Sequence, residues 1–117
     1  MAFPGTYNFS YYRGDTAEFV VRPKNSNGSA YDLTNYSATF TIANRRGSTG
    51  TQYAGTVTVN ATTDIITCTI IPSVGRSLAA GTYVYDVQIT NTIPNPDVIL
   101  TVLTGSITVT DDITGAV

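Results

Sequence analysis

The stretch that decides the fold is Leu78-Ala-Ala-Gly-Thr-Tyr-Val-Tyr-Asp-Val-Gln-Ile-Thr90. A turn at Gly81 opens it. Tyr83, Tyr85, Val87 and Ile89 then fall on one side, with Thr82, Asp86 and Gln88 on the other. Side chains alternate across a strand, so this pattern reads as a strand with one face on a core and one toward water. Such a strand requires partners carrying the same alternation.

The flanking sequence supplies them. Tyr7, Phe9 and Tyr11 alternate in "TYNFSYY", Ala17, Phe19 and Val21 in "TAEFVVR", and Tyr36, Ala38, Phe40 and Ile42 in "YSATFTIA". Val57 and Val59 do so in "YAGTVTVN", and Ile66, Cys68 and Ile70 in "DIITCTII". "DVILTVLTG" and "SITVTDD" read as two further strands. Turn chemistry separates these runs: "RGD", the Asn27-Gly28 pair in "KNSNG", the Gly/Ser-rich "RRGSTG", and the two prolines of "NTIPNPD". Residues 72–80, opening with Pro72, are long enough for a single helical turn. About seven strands punctuated in this way predict an all-β, immunoglobulin-like antiparallel β-sandwich over residues 1–117. In such sandwiches a Tyr near the start of the sixth strand folds back onto backbone at a corner. Tyr83 is the candidate for that role, and Tyr85 holds the place of a disulfide cysteine in antibody domains.

Composition narrows the function classes. The chain has 117 residues, 42% hydrophobic and 12% charged, with a net charge of −2. Thr, Ser and Asn must therefore supply most of the wetted surface. Arg45-Arg46 is the one basic pair, too little for a nucleic-acid footprint. No run approaches the ~20 apolar residues of a membrane helix, and the first ten residues carry no secretory pattern. Cys68, the single cysteine, lies mid-strand and reads as a reduced core thiol. With no histidine, the commonest general base and metal ligand is missing. The Asp residues are scattered among turns and strand ends, without the spacing of a calcium loop. The expectation is a protein that is not an enzyme and takes no cofactor or metal.

Four blocks, in order, carry a resemblance: Arg13-Gly14-Asp15-Thr16, Asp32-Leu33-Thr34-Asn35-Tyr36, Gly81-Thr82-Tyr83-Val84-Tyr85-Asp86 and Gly105-Ser106-Ile107-Thr108-Val109-Thr110. Together they resemble the immunoglobulin-like virion proteins of tailed bacteriophages, nearest to the N-terminal domain family of siphophage upper baseplate proteins. Those proteins continue into further segments, so a chain stopping at Val117 is expected to be a stand-alone version. The resemblance implies a structural protein assembled in the host bacterial cytoplasm and located in the virion. It would dock on the capsid as a decoration protein, or on the tail or baseplate as an adaptor, with other virion proteins as partners in a symmetric array. The competing expectation is an adhesin whose loops bind carbohydrate or protein on the host surface.

Within that frame Gly14 supplies a turn, and Asp15 is expected to accept hydrogen bonds from its own turn backbone, a better account of "RGD" than an integrin ligand. The N-x-S/T sequons at Asn8, Asn27, Asn35 and Asn60 read as chance in a Thr/Ser-rich chain. The first strand and the tail are candidate docking elements, with residues 111–117 expected to be flexible or ordered only by a partner.

Overall fold

In the computed structural model, residues 5–45 and 52–111 are described. Two sheets face each other. Sheet A runs β4 (Ser37–Ala43), β8 (Gly81–Asn91) and β9 (Val98–Thr110), with β5 (Gln52–Ala54) outside β4. Its far edge, beside β9, is formed by β1 (Gly5–Thr6) and β2 (Phe9–Tyr12). Sheet B runs β3 (Ala17–Val21), β7 (Ile65–Ile70), β6 (Thr56–Asn60). This is an all-β sandwich of immunoglobulin-like strand order, and the opening stretch forms β8 at the centre of the larger sheet. A single helical turn, α1 (Pro72–Gly75), begins at Pro72, as the sequence predicts. No helix among the described residues is long and apolar enough to cross a membrane.

The core is what alternation requires. Tyr83, Tyr85, Val87 and Ile89 of β8 are all buried, facing Ile66, Cys68 and Ile70 of β7 across the sandwich. Tyr85 sits among three phenyl rings, with centroids 5.7 Å from Phe9, 5.8 Å from Phe19 and 5.6 Å from Phe40, all edge-on. Edge-to-face pairs of this kind add about 0.5–1.5 kcal/mol each beyond burial of area. On the outer side of sheet B, Thr56 pairs with Thr69 and Thr58 with Thr67, a hydroxyl-covered surface along β6 and β7.

The expected sandwich is antiparallel except at one edge, where β1 and β2 run parallel to β9. Two strand readings need correction. Where two strands were expected, one continuous β9 runs over 13 residues, with a bulge opposite Val87/Gln88. Gly105 lies within it because the backbone of Tyr7 crosses there, where a side chain would collide: a Cβ would lie 1.9 Å from the Tyr7 carbonyl oxygen. Conversely, "YAGTVTVN" is not one strand. It leaves sheet A at Gly55, whose N–H donates to the carbonyl of Phe40 (2.8 Å), and enters sheet B. A sandwich strand that changes sheets does so where the backbone can bend.

Two core residues, Leu33 and Leu78, come from loops and were not legible as strand positions. Each is fully buried, a contribution of about 1.5–3 kcal/mol. Leu33 is held as a plug: its N–H donates to Asp64 Oδ1 (3.0 Å), and Tyr36 N–H donates back to its carbonyl (3.1 Å).

Candidate interaction surfaces

Most of the singled-out residues turn out to be joints of the framework. Tyr85 is 2% exposed, and its hydroxyl donates to the Tyr7 carbonyl (2.5 Å). Burial first, then the neighbouring Tyr7 and Cys68, hold its phenol above the ordinary tyrosine range. Tyr83 is buried edge-on against Tyr53, with centroids 6.2 Å apart. The Tyr11 hydroxyl turns back onto nearby backbone, donating to the carbonyl of Asp15 (2.5 Å). Gly81 begins β8 with φ +148°, opposite Val109. Cys68 is fully buried, and burial pushes its thiol up to about 12.

The Arg13-Gly14-Asp15 turn is fastened down. Arg13 Nε donates to the carbonyl of Leu78 (2.9 Å) and a terminal nitrogen to that of Arg76 (2.7 Å), both just past α1. Gly14, at φ +89°, lies under the Arg76 guanidinium, where a Cβ would come within 2.7 Å. Asp15 closes the turn through its backbone, its N–H donating to the Tyr12 carbonyl (3.0 Å), while the residue itself is exposed. An integrin-type ligand needs its arginine extended into solvent, and Arg13 is instead folded over α1.

The second block is equally local. Asp32 Oδ1 accepts from the Thr34 hydroxyl (2.7 Å) and N–H (2.9 Å), and the hydroxyl bond leads in holding its carboxyl below the ordinary value. Tyr31 and Tyr36 share a hydroxyl hydrogen bond (2.9 Å), which, with burial, raises Tyr36 to about 12. Sequon asparagines are also engaged: Asn8 Oδ1 accepts from Ser106 N–H (2.9 Å), and Asn60 Oδ1 accepts from the N–H groups of Thr62 and Thr63.

The described residues also form concave surfaces. A polar depression of ≈ 350 Å³ lies on the outer face of sheet A, lined by Thr41, Arg45, Gln52, Asp86 and Gln88. An apolar groove of ≈ 410 Å³ runs between β1 and β3, lined by Tyr7, Phe19, Val21 and Leu103, with Arg22 and Lys24 on its rim. Tyr7, which the alternation placed on the core face, is 47% exposed there. Among the described residues no cluster of three or more His, Cys, Asp or Glu could hold a metal ion. The "KNSNG" and "IPNPD" loops are described, the first closed by Asn25 and Ser29 and the second exposing Ile93. Positions 46–50 of "RRGSTG" and residues 112–117 of the tail lie outside the described residues.

No protein-family model and no curated protein matches the chain. Among solved structures, it aligns with a family 123 glycoside hydrolase from Clostridium perfringens at 15% identity and a TM-score of 0.39. The alignment covers 92% of this chain and 23% of the hydrolase. A likeness this distant carries no argument about activity.

Proposed function

We propose that this chain is a non-enzymatic structural protein of a tailed-phage virion, docking as a rigid sandwich on the capsid as decoration or on the tail or baseplate as an adaptor. The supporting observation is where the four resembling blocks lie. Arg13–Thr16 fastens the α1 turn, Asp32–Tyr36 seats the Leu33 plug, Gly81–Asp86 opens the central strand, and Gly105–Thr110 completes the strand beside it. The residues shared with those virion proteins are thus the ones that build the scaffold, and loops and edges are left to carry binding. A surface of Thr, Ser and Asn favours close packing on a particle, since few ions need desolvating at each contact.

The test is electron cryomicroscopy of virions from the encoding phage, with and without the gene. Additional density at regular positions on the head or tail is the expected result. Identical particles would overturn the proposal and return the loop-binding adhesin reading to first place, to be pursued on a glycan array.

A further inference from the structure

Strand β3 ends sheet B: it pairs with β7 on one side and, among the described residues, with no strand on the other. Alternation persists through and beyond it. Glu18, Val20, Arg22 and Lys24 are exposed, while Val21 and Pro23 are buried. Val20 is 42% exposed, and the apolar groove with half-exposed Tyr7 flanks the same edge. An edge strand offers a row of backbone donors and acceptors to any other strand, and charge on the edge ordinarily discourages pairing. Here the charges do the reverse. Acid, apolar residue and base follow at intervals of two, symmetrically about Val20, so the edge complements itself.

We propose that a second copy of this chain pairs at this edge, the two β3 strands running antiparallel about a two-fold axis at Val20. Glu18 of each copy then faces the partner's Arg22, Phe19 faces the partner's Val21, and the two Val20 side chains meet on the axis. Opposite charges directly across an antiparallel pair stabilise it, and like charges destabilise it. The contact is isologous and closed, so it makes a dimer and not a filament. It joins the two three-stranded sheets into one continuous sheet. Pro23, which has no N–H, falls opposite Ala17 and ends the pairing at both sides. The neighbouring register, centred on Val21, pairs Glu18 with the partner's Lys24 instead, but it sets Pro23 opposite Phe19 in mid-ladder and is disfavoured for that reason. The pairing is a property of the purified protein and does not rest on the virion reading.

Sedimentation equilibrium of the full chain and its E18R, R22E and K24E variants tests this. All three positions are exposed, and far-UV circular dichroism checks that the fold is kept. The wild type is expected to self-associate to a dimer. E18R and R22E should each weaken it about tenfold, because both symmetric contacts turn repulsive. An equimolar mixture of E18R and R22E should dimerise again, since the mixed pair restores opposite charges at both contacts. K24E should associate as the wild type does, because Lys24 faces Thr16 in this register. A wild type that stays monomeric at millimolar concentration overturns the proposal. So does a dimer indifferent to both reversals, or one weakened by K24E but not by R22E.

Discussion

The Tyr85 hydroxyl donates to the carbonyl of Tyr7, 78 residues earlier in the chain, across the bare backbone of Gly105. Tyr7 N–H meanwhile donates to the carbonyl of Thr104 (3.0 Å), and Asn8 Oδ1 accepts from Ser106 N–H (2.9 Å). The interruption between β1 and β2 is therefore bridged, and both halves keep one register along β9. The first strand is fastened to the centre of the sheet by a side chain from the strand beyond its neighbour.

Replacing Tyr85 with Phe keeps the ring among Phe9, Phe19 and Phe40 and removes only the donor. Leaving the Tyr7 carbonyl without it is expected to cost about 1–3 kcal/mol in urea unfolding. Amide exchange should accelerate at Tyr7 and in β1 before it does in β7. Uniform acceleration throughout both sheets would contradict the fastening role.

Gly105→Ala tests the crossing directly. Its Cβ would meet the Tyr7 carbonyl oxygen at 1.9 Å and a Tyr85 ring carbon at 3.0 Å, so the first strand must move off β9. Destabilisation of about 3 kcal/mol or more is expected, larger than for Tyr85→Phe. A variant within about 0.5 kcal/mol of wild type would rule out the close approach.

Alkaline pH should weaken the fold through Cys68. Its thiol ionises near 9.0 when exposed, but burial holds it protonated to about 12 in the folded chain. A raised folded value means that the stabilisation is complete below the unfolded value and is lost as pH rises from there toward the folded one. The loss is about 1.4 kcal/mol per pH unit. Tyr36, raised from 10.0 to about 12, and Tyr85, also raised from 10.0, add their own losses as pH rises through 10.0. Urea unfolding at about pH 8, 9 and 10 should therefore show a decline that Cys68→Ala removes, whatever that variant's baseline stability. Equal slopes in both proteins would show that the thiol is not buried as described. Native protein should also resist thiol reagents until it unfolds.

Arg13 is expected to serve stability and not recognition. Arg13→Ala removes the donors to the Leu78 and Arg76 carbonyls and should cost about 1–3 kcal/mol. Arg13→Lys should recover less than half of that, because an ammonium cannot reproduce the planar fork. Thermal denaturation of the two variants reads this, and full rescue by Lys would show that charge alone suffices.

Alternation was enough to identify the all-β class and most of the inward faces, though not every strand boundary: Phe40, Ile42, Ile66, Ile70, Val87 and Ile89 are all buried where period-2 patterning put them. Local turn chemistry was equally legible, from Pro72 at the start of α1 to the loop between Asn91 and Val98. These features depend on neighbours in sequence, which fix side-chain direction and backbone dihedrals.

What the sequence by itself did not determine depends on residues far apart in the chain. Gly55 could not be read as a change of sheet, nor Gly105 as a crossing, until Phe40 and Tyr7 were in place. Leu33 and Leu78 lie in irregular segments, so no period marked them as core. The interaction surfaces are of the same kind. Glu18, Val20 and Arg22 are a few adjacent letters of an ordinary strand, and only the strand order of sheet B makes them an open edge. Periodicity fixes which way a side chain faces. Which backbone lies beside it is settled by the closing of long loops, and only the tertiary structure decides that.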